Sequence, residues 1–131
     1  MQRRFTIIAA IFGFLGVALG AFGAHGLTAV FEANGRADSF HTATEYHMIH
    51  VLALLAVAWI DSRSPGKWTR WAGYLFIAGV ILFSGSLYIL SIFDVGIMGA
   101  VAPLGGLSFL GGWALLGYAA WQDDESKNAK D

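Results

Sequence analysis

The sequence predicts an all-α fold: an integral membrane four-helix bundle with N and C termini inside and a short amphipathic segment after helix 1. Three observations carry this. Apolar runs long enough to cross a bilayer recur along the chain. Charged residues are 13% of its 131 residues, against 56% hydrophobic. The basic residues also fall almost wholly in alternate connections. A soluble domain carries about 25% charged residues, so a chain this poor in charge, with mean hydropathy +0.60, cannot cover a water-facing surface. Its solvent must be largely lipid.

A hydrocarbon core about 30 Å thick takes roughly 20 helical residues. The first span is expected over 5–24, from Phe5 to Ala24, with no charge before Glu32. This run is longer than the apolar part of a secretory signal, so a retained span is expected rather than a cleaved peptide. Gly13, Gly16, Gly20 and Gly23 recur three or four residues apart along it. Small residues at that spacing let membrane helices approach closely, so this face is expected to be a packing seam. In the next segment, Leu27, Val30 and Phe31 stand at i, i+3 and i+4, the pattern of a short helix lying on the membrane surface. Asn34-Gly35 is expected to end it, and Asp38 or Ser39 to cap the following helix.

The second span, 41–60, is the weakest by hydropathy, because Glu45, His47 and His50 interrupt it. Charge segregation settles it. With four spans, Arg3, Arg4, Arg63, Lys67, Arg70, Lys127 and Lys130 share one side and only Arg36 lies on the other. Basic loops face the cytoplasm, so a multi-pass protein of the cell inner membrane with both termini cytoplasmic is expected. Trp59, Trp68, Trp71 and Trp121 fall at the same ends, as an aromatic belt would. Ser64-Pro65-Gly66 signals a turn before the third span, 71–92. The fourth, 102–121, opens with Pro103 in its first turn and carries Gly105, Gly106 and Gly112 as a second seam. A polar cytoplasmic tail, 122–131, completes one transmembrane domain.

Several chemistries are excluded or given no support. Without cysteine there are no disulfides, thiolate metal sites or thiol nucleophiles. A net charge of −1 gives no footprint for nucleic acid. No metalloprotease, P-loop, serine-hydrolase or dinucleotide motif occurs. No metal site or cofactor is expected, and His47-x-x-His50 lacks carboxylates on its own face to complete a metal shell.

Polar groups at membrane depth are nevertheless the default place to seek function. Rising about 1.5 Å per residue from Ile60, His50 reaches about 15 Å, near the midplane, and Glu45 about 22 Å. Ser84 and Ser108 fall at about 20 Å on the same count. A polar pocket opening outward between the second, third and fourth spans is therefore expected. Its candidate ligand-binding residues are His25, Glu45, Tyr46, His50, Ser84, Ser86 and Ser108. Each also has a packing role to fill: His50 as a hydrogen-bonding link between helices, His25 as a cap on the first helix, and Glu45 as a carboxylate paired with His41 or Arg36.

The stretches Gly20-Ala-Phe-Gly-Ala-His25-Gly-Leu27, Tyr46-His-Met-Ile-His50, Leu82-Phe-Ser-Gly-Ser-Leu-Tyr88, Ala102-Pro-Leu-Gly-Gly106 and Gly112-Trp113 resemble domain-of-unknown-function family 423. These are small four-helix bacterial membrane proteins with mitochondrial relatives. The resemblance implies the same four-helix membrane fold, places His25, Tyr46, His50, Ser84, Ser86 and Pro103 in family motifs, and implies no established activity.

The first expectation is an accessory or structural subunit, or a small oligomer, packing through its glycine-rich helix faces. Its partners would be the lipid bilayer and a larger membrane complex or further copies of itself. The alternative is a lipid-, quinone- or small-solute-binding or transport module using the outward pocket. A third reading is a membrane redox or metal enzyme centred on His25 and His50.

Overall fold

In the computed structural model, which describes residues 1–128, four helices are long and apolar enough to cross a membrane. The first is α1, Gln2–His25. After the short α2, Thr28–Asn34, comes α3, Ala37–Arg63. The third span is composite: α4, Lys67–Gly79, runs through a π-helical turn at Val80–Ser84 into α5, Gly85–Phe93. The last is α6, Met98–Asn128. No strand occurs among the described residues. Lys130 and the end of the polar tail lie outside them.

Four spans return the chain to its starting side. Met1, the turn before α4 and the far part of α6 thus share one end of the bundle, called here the basic end. α2 and the α5–α6 connection occupy the opposite end. α1 packs mainly on α3, and α6 on the third span, with α3 and the third span between them. The large core lies toward the basic end, where Phe5, Leu54, Val57, Phe76 and Phe109 meet. A smaller cluster of Leu27, Phe40, Ala43 and Tyr88 closes the opposite end beneath α2.

The glycines explain how the helices come so close. A Cβ built on Gly23 would stand 2.1 Å from the Phe40 ring, and one on Gly16 would stand 2.5 Å from Met48 Sδ. Gly20 and Gly13 face Thr44 and Val51 at ordinary contact distance. Between α6 and the third span, a Cβ on Gly105 would fall 2.2 Å from the backbone nitrogen of Phe83, and one on Gly112 would fall 2.6 Å from the Phe76 ring. Gly106 has more room, at 3.8 Å. Both glycine faces thus pack on the chain's own helices, α1 on α3 and α6 on the third span.

The connections follow local chemistry. α2 stops where Gly35 adopts φ 66°, and its N–H returns to Phe31 O; a left-handed position of this kind suits glycine. Asn34 then reaches across to donate to Ser91 O at 2.8 Å, which ties α2 to the end of α5. α3 starts earlier than its expected caps. Its N-cap is Arg36 with no side-chain cap bond, and Asp38 lies in its first turn. α6 also begins before Pro103, because three successive i→i+3 bonds wind residues 95–100 into a tight opening turn. Two ion pairs mark the ends: Arg36 to Asp94 at 3.0 Å, exposed, and Arg70 to a buried Asp61 at 2.9 Å.

Candidate functional site

Midway along α3 the bundle holds a polar layer, and His50 is its best-defined member. The residue is 3% exposed. Nδ1 lies 2.7 Å from the Tyr46 carbonyl one turn back in the same helix. Nε2 lies 3.1 Å from the indole Nε1 of Trp113 on α6. A carbonyl can only accept and an indole N–H can only donate, so the two bonds fix the tautomer. Nδ1 carries the proton, Nε2 is the acceptor, and the ring is neutral. Its face stacks on Phe109 with centroids 3.5 Å apart and planes 8° from parallel. Edge and face together join α3 to α6.

His47 sits one turn nearer the opposite end and turns the other way. Its Nδ1 is 3.0 Å from the Tyr88 hydroxyl of α5, while Nε2 faces α1 at Gly16 and has no hydrogen-bond partner. Ser84, fully buried in the π-helical turn, likewise has no partner for Oγ. It is the exception among nearby serines, since Ser86 donates to Phe83 O and Ser91 to Tyr88 O. His47 therefore bonds toward α5 and His50 toward α6. Their ring nitrogens diverge, and the pair cannot chelate one ion. Among the described residues no three His, Cys, Asp or Glu side chains converge as a metal shell.

The expected outward pocket does not form as one site. Ser108 donates to Leu75 O at 2.8 Å, linking α6 to α4. Tyr46 is 42% exposed and lays its ring against Phe83. His25 is exposed in the last turn of α1, where backbone closure comes from Gly26 N–H to Phe22 O instead of its ring. Glu45 departs furthest from expectation. Arg36 is taken by Asp94, no ion pair joins Glu45 to His41, and the carboxylate lies on the exposed side of α3. In lipid both faces of a helix are apolar, so its polarity did not reveal that it points out of the bundle.

The family described as "Protein of unknown function (DUF423)" matches residues 19–106. The chain belongs to this family. DUF423 relatives match most of its length. It is 44% identical over 120 residues to UPF0382 membrane protein YwdK of Bacillus subtilis, covering 91% of this chain and 97% of that protein. It is also 44% identical over 117 residues to UPF0382 inner membrane protein YgdD of Escherichia coli K12, covering 88% of each. A Staphylococcus saprophyticus protein, UPF0382 membrane protein SSP2132, is 40% identical over 115 residues. No solved structure matches.

Within this DUF423 chain, two residues that complete the polar layer were not singled out as site residues. Trp113 carried a usable signal. The other four tryptophans stand at span ends, whereas an indole N–H at mid-membrane needs an acceptor. Tyr88 gave only its height. A cleft of about 520 Å³ facing away from the basic end lies between α1, α2 and α3. Thr28, Glu32, His41 and Thr44 line it over an apolar floor, and none of the expected pocket residues does.

Proposed function

We propose that the protein is an accessory or structural subunit of the cell inner membrane, with both termini cytoplasmic. In this reading it is a small rigid helical unit that works by assembling with other membrane chains or with copies of itself. One observation carries the reading: His50, the polar group nearest the membrane midplane, has both ring nitrogens and one ring face committed to neighbouring groups of its own bundle. Interhelical hydrogen bonds of this kind usually serve packing. Ser108 and Asp61 are committed in the same way. The test is native mass measurement of the tagged protein extracted with its surrounding lipid. Additional chains in fixed stoichiometry are expected. A single chain carrying one equivalent of a small molecule would overturn the reading.

A lipid- or small-solute-binding module is the second reading, favoured by the cleft between α1, α2 and α3. Its size falls within the range of small-molecule sites. Thr44→Trp would fill the cleft from α3. If the cleft is the working site, this substitution removes co-purified lipid-like molecules while leaving any assembly intact.

A further inference from the structure

Apart from Met48, which packs on Gly16 of α1, and His41, at the rim of the cleft, the exposed side of α3 carries a repeat that neither the core nor the polar layer accounts for. Glu45, Leu52 and Trp59 follow one another at seven-residue intervals, and so do His41, Met48 and Leu55. Leu52 is 66% exposed, Trp59 59% and Leu55 40%. Glu45 and His41 are exposed, and Met48 is half-buried against Gly16. These are the a and d positions of a two-stranded coiled coil, whose seam drifts only about 20° per heptad around a straight helix. The seam runs the depth of the membrane. Glu45 lies about 12 Å along α3 from Ala37 at 1.5 Å per residue, inside the span and without an ion-pair partner. Ionisable side chains within membrane spans almost always face protein or water and are paired. Lipid alone is therefore a poor occupant for this face.

We propose that this face of α3 binds the same face of a second copy in a parallel two-fold dimer, with Glu45 of each copy hydrogen-bonded to His41 of the other. The inference rests on the subunit reading and names its partner. Charge complementarity selects a second copy. The stripe bears one carboxylate and one imidazole four residues apart, and in parallel knobs-into-holes packing a knob at one position enters a hole that includes the partner's residue four before it. Two-fold symmetry then makes both contacts at once. Leu52, Leu55 and Trp59 extend the seam toward the basic end as its apolar part. The other lipid-facing surfaces, around Phe14 on α1 and Leu107 on α6, carry no such ionisable group at depth.

The chain contains no cysteine, so single substitutions report contacts without background. Leu52→Cys, oxidised in native membranes, should give a disulfide-linked species of twice the chain mass, and Leu107→Cys should not. Glu45→Leu should weaken dimerisation on the order of tenfold, since two hydrogen-bonded contacts are lost together. Exchanging the pair, Glu45→His with His41→Glu, should restore it. No dimer from folded Leu52→Cys protein, equal dimer from Leu107→Cys, or no rescue by the exchange overturns the proposal. A cross-linked product containing a different chain also overturns it but leaves the subunit reading standing. A monomer with a bound small molecule in native discs removes both.

Discussion

The approach of α6 to the backbone of the third span gives a sharp quantitative test. A Cβ on Gly105 would stand 2.2 Å from the backbone nitrogen of Phe83 and 2.7 Å from its Cα. Backbone cannot swing aside as a side-chain tip can. In Gly105→Ala, α6 must therefore retreat from the π-helical turn by about 1 Å to regain ordinary contact. Overpacking of this kind costs about 1–3 kcal/mol. The retreat also stretches the 2.8 Å bond from Ser108 to Leu75 O, one turn away, beyond hydrogen-bonding range, at about 0.6–1.7 kcal/mol. The combined loss is about 2–5 kcal/mol. Unfolding in mixed micelles by titrated dodecyl sulfate, followed by circular dichroism, measures it. Gly106→Ala is the internal control, because its nearest neighbour would be 3.8 Å away. Gly117→Ala, with nothing within 4 Å, is a second. Both should be neutral or slightly stabilising, as alanine favours helix over glycine. A Gly105→Ala protein within about 0.5 kcal/mol of the parent, or equal losses at both neighbouring glycines, would refute the reasoning.

Two further outcomes follow from the same geometry. Trp113→Phe leaves His50 Nε2 without its donor and should cost about 0.6–1.7 kcal/mol. In a double-mutant cycle with His50→Ala the two losses should be non-additive by a similar amount, and strict additivity would contradict the contact. For topology, a fluorescent protein fused after residue 131 should fold and shine in the cytoplasm. Alkaline phosphatase inserted at Gly96 should be active on the other side, and the reverse pattern would place the basic end outside.

The four spans were legible because length and hydropathy are one-dimensional properties, and the even count followed from where arginine and lysine fall. α2 was legible too, since Leu27, Val30 and Phe31 mark a face and Asn34-Gly35 a stop. The candidate site was less so. Depth along a helix can be counted from sequence, and it placed His50 near the midplane. Direction around the helix could not be read, because a helix between protein and lipid is apolar on both sides. Of the polar residues on these spans, His50, His47 and Ser84 are buried in the bundle, whereas Glu45, Tyr46 and His25 are exposed. The partner of His50 was hidden for another reason: Trp113 is 63 residues distant, and nothing in the periodicity of either span encodes that pairing.

The π-helical turn at Val80–Ser84 fits one more residue into a turn than an α-helix would. Straightened, it would leave everything after it rotated by about 100° and displaced by about 1.5 Å. Tyr88 would then swing away from His47, and the Ser91 carbonyl away from the Asn34 amide that donates to it. The bulge works as a phase shifter. Below it α4 packs mainly on α6, and above it α5 turns chiefly to α3 and also reaches α2, so one continuous helix changes the balance of its neighbours at the bulge. Deleting a single residue there would be read by the bundle as a twist of its entire far half.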